Sequence, residues 1–168
     1  MEISRFSYRL LFALILIGFF SGCGKESLHV DALDGEGFDI QFEDRTVSIR
    51  IGDRLDSVIS KLGQPDYRDE TSLDYWNMGL AFSAGFIFDP QRVGKISNLS
   101  VSGTSNTDYA ISAITDKGIE LGDTRSDVRS AYGSPDSGGT RDEYDSEKIW
   151  FTYTDDGIIH HIQVAWPR

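Results

Sequence analysis

Apolar and polar side chains alternate along two early stretches of the chain. Phe38, Ile40 and Phe42 alternate with Asp39, Gln41 and Glu43, and Val47, Ile49 and Ile51 alternate with Ser48 and Arg50. A period of two is that of a half-buried strand, so both stretches predict strands. The period then changes. Leu55, Val58, Ile59 and Leu62 fall on one face of a helix, with Asp53 at the N-cap position, Gly63 to end the helix and Pro65 to prevent its resumption. A second helix repeats this logic, with Asp123 as cap, Val128, Ala131 and Tyr132 on the inner face, then Gly133 and Pro135. Helices this short are marginal alone and require packing on a sheet.

The two helices belong to an internal duplication. Between residues 52–66 and 122–136, seven of fifteen positions are identical: Gly52/Gly122, Asp53/Asp123, Val58/Val128, Ser60/Ser130, Gly63/Gly133, Pro65/Pro135 and Asp66/Asp136. After each helix the pattern is strand-like, with Tyr75 to Phe82 aligning with Tyr144 to Phe151, and Ile96 to Val101 with Ile159 to Val164. The expected fold class is α+β. Two tandem repeats, each a short helical segment packed on antiparallel strands, form one compact body with an exposed sheet face. Residues 38–103 make the first repeat, 104–108 a linker and 109–168 the second.

The N-terminus has a different character. Arg5 and Arg9 precede the apolar run from Leu10 to Phe20, which is short for a membrane span, and small residues Ser21 and Gly22 lead to Cys23. Residues 1–22 are thus expected to be a secretory signal peptide. Phe20-Ser21-Gly22-Cys23 resembles the bacterial lipobox, with Phe20 in place of the usual Leu, which implies lipid attachment at Cys23. As the sole cysteine of the chain, Cys23 has no disulfide partner within it. Gly24 and Lys25 follow without Asp at the second mature position, which by resemblance to enterobacterial sorting implies the outer membrane. Residues 23–37, rich in Gly, Asp, Glu and Ser, read as a lipidated flexible tether. Asp31, Asp34, Glu36 and Asp39 lack the spacing of an EF-hand.

Removing residues 1–22 takes away Glu2, Arg5 and Arg9, so 27 acidic and 16 basic residues become 26 and 14, and the formal charge becomes −12. This makes nucleic acid and anionic head groups poor partners. It suits a soluble envelope protein or one that meets a basic partner.

The segment Gly122-Asp123-Thr124-Arg125-Ser126-Asp127-Val128 through Tyr132-Gly133-Ser134-Pro135 resembles the outer-membrane assembly lipoprotein family BamE, also called SmpA/OmlA. It is similar as well to the β-lactamase inhibitor protein family, whose members carry two tandem copies of this unit and hold another protein on the exposed sheet face. The first resemblance implies an assembly lipoprotein, although that family carries one copy. The second implies an inhibitor, although that family has cysteines within its domains.

No HExxH, CxxC, P-loop or GxSxG motif is present. Of the three histidines, His29 falls in the expected tether, and His160 and His161 are adjacent on a strand and are expected on opposite faces. Asp142, Glu143, Asp145, Asp155 and Asp156 fall in loop-like sequence, where solvation is their expected role. Strand parity points instead to binding. If Ile149, Phe151 and Tyr153 face the helices, Trp150, Thr152 and Thr154 face outward. With Leu99, Val101, Ile162 and Val164 inward, Asn98, Ser100, His161 and Gln163 join them. Tyr75 and Tyr144 are expected to flank this surface, and Trp76 and Trp166 to pack. The expected function is that of an exported bacterial envelope lipoprotein acting as a non-catalytic protein-binding module in outer-membrane assembly or maintenance. The alternative is an inhibitor of a secreted or periplasmic enzyme. No cofactor or metal is expected, and the partners are envelope proteins and, through the lipid, the membrane.

Overall fold

The computed structural model describes residues 26–42, 44–84, 93–103 and 109–165. In chain order its elements are β1 (Glu26–Asp34), β2 (Gly37–Gln41), β3 (Thr46–Arg50), α1 (Leu55–Leu62), β4 (Tyr67–Arg68), β5 (Ser72–Tyr75), a 3-10 turn (Trp76–Met78), β6 (Leu80–Ala84) and β7 (Ile96–Ser102). Then follow β8 (Tyr109–Thr115), α2 (Arg125–Tyr132), β9 (Arg141–Tyr144), β10 (Ile149–Tyr153) and β11 (Ile159–Ala165). The strands form two sheets, one ordered β3-β2-β1-β8 and the other β4-β5-β6-β7-β11-β10-β9. All neighbours are antiparallel except β1 and β8, which run parallel.

The expected fold class is therefore corrected. The chain is predominantly β, in two sheets with two short α-helices, and is not a body of two α+β repeats. The strands that precede the helices explain the difference. Instead of repeating, β1–β3 and β8 pair with one another in a sheet of their own, so the boundary expected at 104–108 is crossed by the β1–β8 ladder. The expected tether is corrected too. From Glu26 onward it is strand, and Leu28, Val30 and Leu33 are fully buried.

One hydrophobic core joins both sheets and both helices. Leu28, Val30, Phe38, Ile40 and Ile49 from the four-stranded sheet meet Leu73, Phe82, Leu99, Phe151 and Ile162 from the seven-stranded sheet, with Val58 and Val128 from the helices. Phe38 lies 6.1 Å from Phe82, ring to ring, across the two sheets. Full burial of such a side chain is worth roughly 1.5–3 kcal/mol, so the inner face of the larger sheet is committed to this contact. Gly37 has a matching role. With φ at +156°, its Cα sits where a Cβ would stand 2.3 Å from the Ile49 carbonyl oxygen, so only glycine lets β2 and β3 approach.

The duplicated residues act locally, and their roles differ from the expected ones. Asp53 does not cap α1, whose N-cap is Arg54 with no side-chain cap bond. Its carboxylate instead accepts the Arg50 N–H at 3.2 Å and the Lys61 ammonium at 3.0 Å, closing the turn before the helix. Asp123 likewise accepts the Glu120 N–H at 2.8 Å, and Thr124 caps α2 in a reciprocal box with Asp127. Ala131 is exposed rather than inward. At the far end of each helix, Gly63 and Gly133 turn the chain at φ of +87° and +84°. Their carbonyls accept hydroxyl bonds from Tyr75 at 2.9 Å and Tyr144 at 3.1 Å. Each tyrosine thus ties a helix end to the sheet and satisfies a carbonyl the helix leaves unpaired.

The second helix has one further tie. Asp142, expected in a solvated loop, lies on β9 with its side chain fully buried. Arg129 of α2 grips it with Nε at 2.9 Å and Nη2 at 3.1 Å, and the Tyr153 hydroxyl donates to it at 3.2 Å. Hydrogen bonds to a charged group each contribute about 1.5–3 kcal/mol. We expect Asp142→Ala to lower the unfolding free energy by about 2 kcal/mol or more. Urea denaturation checks this, and an unchanged midpoint would show that α2 is held without the carboxylate.

Candidate functional site: the outer face of the seven-stranded sheet

Strand register builds the outer face in rows. Tyr67, Asp74, Ala81, Ser100, Gln163, Trp150 and Glu143 are paired in turn across all seven strands. A second row pairs Ser102, His161, Thr152 and Arg141. Asn98 lies in a third, between Ser83 and Ala165. The structure thus brings Asn98, Ser100, Trp150, Thr152, His161 and Gln163 onto one continuous face, because Leu99, Val101, Ile149, Phe151, Ile162 and Val164 all turn to the core. Thr154 lies just beyond β10 and is exposed. Strands lie about 4.8 Å apart, so the five steps from Tyr67 on β4 to Trp150 on β10 span roughly 24 Å.

At the β10 end, the Arg141 guanidinium lies 5.1 Å from the Trp150 ring and its Nε donates to Glu143 at 2.6 Å. A cation stacked on one ring and held by a carboxylate makes this end amphipathic. At the centre, His161 Nδ1 is 2.7 Å from Ser102 Oγ. Burial pushes the His161 imidazole below its ordinary value, His160 adds repulsion in the same direction, and a bond to Gln163 opposes them. The neutral ring is thus favoured near pH 7 and accepts or donates at each nitrogen according to its tautomer.

Four expected placements are corrected. Tyr75 and Tyr144 do not flank this face but are buried on the opposite one, at the helix ends, where burial raises both phenol pKa values, that of Tyr75 to about 12. Trp76 does not pack in the core. It is 60% exposed and stacks on Tyr67, itself 45% exposed, at 6.5 Å and 13° between planes. His160 and His161 are not on opposite faces. A bulge between β10 and β11 lets Ile159 and Ile162, three residues apart, both reach the core, leaving the two imidazoles outside it with ring centres 6.4 Å apart. His29 sits on β1 rather than in a tether, with Nδ1 2.7 Å from Ser112 Oγ.

Sequence reasoning missed the Tyr67 and Trp76 pair. The signal was available in the first copy, where Tyr67 and Trp76 stand opposite Ser137 and Asp145 of the second, at offsets of 70 and 69. Among the described residues no group of three or more His, Cys, Asp and Glu gathers as a metal ion requires. Asp34 and Asp39 are engaged elsewhere, Asp34 with the Glu36 and Gly37 N–H groups and Asp39 with Arg50. Cys23, the signal peptide, residues 104–108 and Trp166 lie outside the described residues.

The depressed His161 pKa carries a consequence for stability. The unfolded ring, near pKa 6.5, binds its proton before the folded ring does, so stability falls as pH drops below about 6.5 and levels off beneath the folded pKa. We expect urea midpoints to show this decline and His161→Gln to flatten it. An identical pH profile in the variant would rule out the imidazole as its source.

No protein-family model, curated protein or solved structure matches this chain.

Proposed function

We propose that this chain is an exported bacterial lipoprotein, anchored through Cys23 at the outer membrane and facing the periplasm. Its role is to hold a protein partner on the outer face of the seven-stranded sheet, without catalysis, in outer-membrane assembly or maintenance. One observation carries the binding reading. A row of side chains crosses the whole sheet, with the exposed Tyr67 and Trp76 stack at one end, the Trp150 and Arg141 stack at the other, and the small or polar Asp74, Ala81, Ser100 and Gln163 between. Interfaces draw their energy from a few Trp, Tyr and Arg anchors set among near-neutral polar contacts, and this face has that composition. The anchor reading rests on the Ser21-Gly22-Cys23 sequence after an apolar run. Among the described residues no helix is long and apolar enough to cross a membrane.

A second reading, inhibition of a secreted or periplasmic enzyme, is favoured by the duplicated Gly-Asp and Gly-x-Pro turns that the chain shares in pattern with the inhibitor family. The two readings differ in what survives removal of the lipid. An inhibitor forms its complex with a soluble enzyme equally well without the anchor, whereas an assembly factor co-purifies with membrane complexes.

Affinity purification of the lipidated protein from its native envelope tests the binding face. Trp150→Ala and Trp76→Ala are each expected to weaken the recovered complex by about 2 kcal/mol, roughly thirtyfold in Kd. Undiminished recovery with both would place the partner elsewhere. Cys23→Ser is expected to move the protein from the membrane to the soluble fraction, and continued membrane association would defeat the anchor.

A further inference from the structure

Only Gly24 and Lys25 separate Cys23 from Glu26, where β1 begins. A chain advances at most about 3.6 Å per residue, so the Cα atoms of Cys23 and Glu26 are within roughly 11 Å of each other. Peeling β1 away cannot lengthen this link cheaply. The strand is interior to its sheet, antiparallel to β2 on one side and parallel to β8 on the other, and Leu28, Val30 and Leu33 are fully buried. Each of them would forfeit roughly 1.5–3 kcal/mol on withdrawal.

The end of the sheet where β1 starts also holds the start of β8, the end of β2 at Gln41 and the start of β3 at Thr46. Beside them, Phe42 packs partly against the core, and the Arg45 guanidinium lies 5.0 Å from its ring. Arg45 and Asp44 are exposed. An aromatic ring with a cation above it is the chemistry of the head-group layer, where an apolar body meets the acyl boundary and a charged tip stays wet. Lys25 and Arg45 are offset in sequence by Glu26, Glu43 and Asp44, so the short link to the anchor, and not net charge, sets the orientation.

Resting on the reading of Cys23 as the lipid anchor, we infer that this end of the four-stranded sheet, with Phe42 and Arg45, sits against the phospholipid surface, and that the body is held there in a fixed orientation instead of swinging on a tether. The turn at Gly35 and Glu36 lies at the other end of β1, eight residue steps and about 27 Å along the strand. The outer face of the seven-stranded sheet lies across the core from the anchored sheet.

The test uses the full lipidated chain in zwitterionic vesicles of phosphatidylethanolamine and phosphatidylcholine doped with head-group spin-labelled lipid. Cys23 is the only cysteine and its sulfur is consumed by the lipid linkage, so a thiol-reactive fluorophore reaches only a newly introduced site, Asp44→Cys, which leaves Phe42 and Arg45 in place, or Glu36→Cys. We expect quenching several-fold stronger at position 44 than at position 36. Inserting about twenty Gly and Ser residues between Lys25 and Glu26, which spread over roughly 25 Å, is expected to bring position 44 down to the level of position 36. Equal, weak quenching at both positions in vesicle-bound, acylated protein would overturn the docked orientation while leaving the anchor intact. Absence of acylation would overturn both.

Discussion

The pairing of β7 with β11 is the contact on which the rest of the molecule depends. It runs from Ser102 opposite His161 to Asn98 opposite Ala165, and joins the four strands β4-β5-β6-β7 to the three strands β11-β10-β9. Neither part alone makes a broad face. Joined, they bury Leu99, Val101, Ile162 and Val164 on one side, and on the other they set Ser100 beside Gln163 at the middle of a row that reaches the Tyr67–Trp76 stack at one end and the Arg141–Trp150 contact at the other. A slip of one residue would exchange those two sets, putting polar side chains in the core, so burial fixes the register and with it the outer face.

The inner face is closed by two kinds of cover. The helices occupy part of it, each secured by a tyrosine hydroxyl on its final carbonyl, and the second also by the Arg129–Asp142 pair. The four-stranded sheet supplies the rest through Phe38 and its neighbours. That smaller sheet contains residues from before the first helix and residues from between the two, so the chain folds as interleaved segments. The duplication recurs in the turns, the helix C-caps and the three antiparallel strands that end each copy, β5-β6-β7 and β9-β10-β11, whereas the four-stranded sheet is not duplicated.

Local periodicity made part of this legible from sequence. Phe38, Ile40, Val47 and Ile49 lie in strands and are buried, and the parity of Ile149, Phe151 and Tyr153 correctly set Trp150 and Thr152 outward. What escaped was non-local or parity-breaking. A bulge between Asp31 and Asp34 interrupts the alternation of β1, and its acidic composition imitates a linker. A second bulge puts His160 and His161 on the same side. Asp142 reads as solvated until Arg129, thirteen residues away on a helix, is brought to it. Tyr75 and Tyr144 lie on β5 and β9 but on the face opposite to the one expected, because their role is set by the helix ends they serve.

We propose that the outer face of the seven-stranded sheet, and not the surface of the four-stranded sheet, receives the partner. Photocrosslinking in intact cells addresses it directly, with a benzophenone side chain placed at Gln163 in the middle of the outer face or at the exposed Ser48 on β3. A discrete crosslinked protein is expected from position 163 and none from position 48. A crosslink from position 48 alone would contradict it.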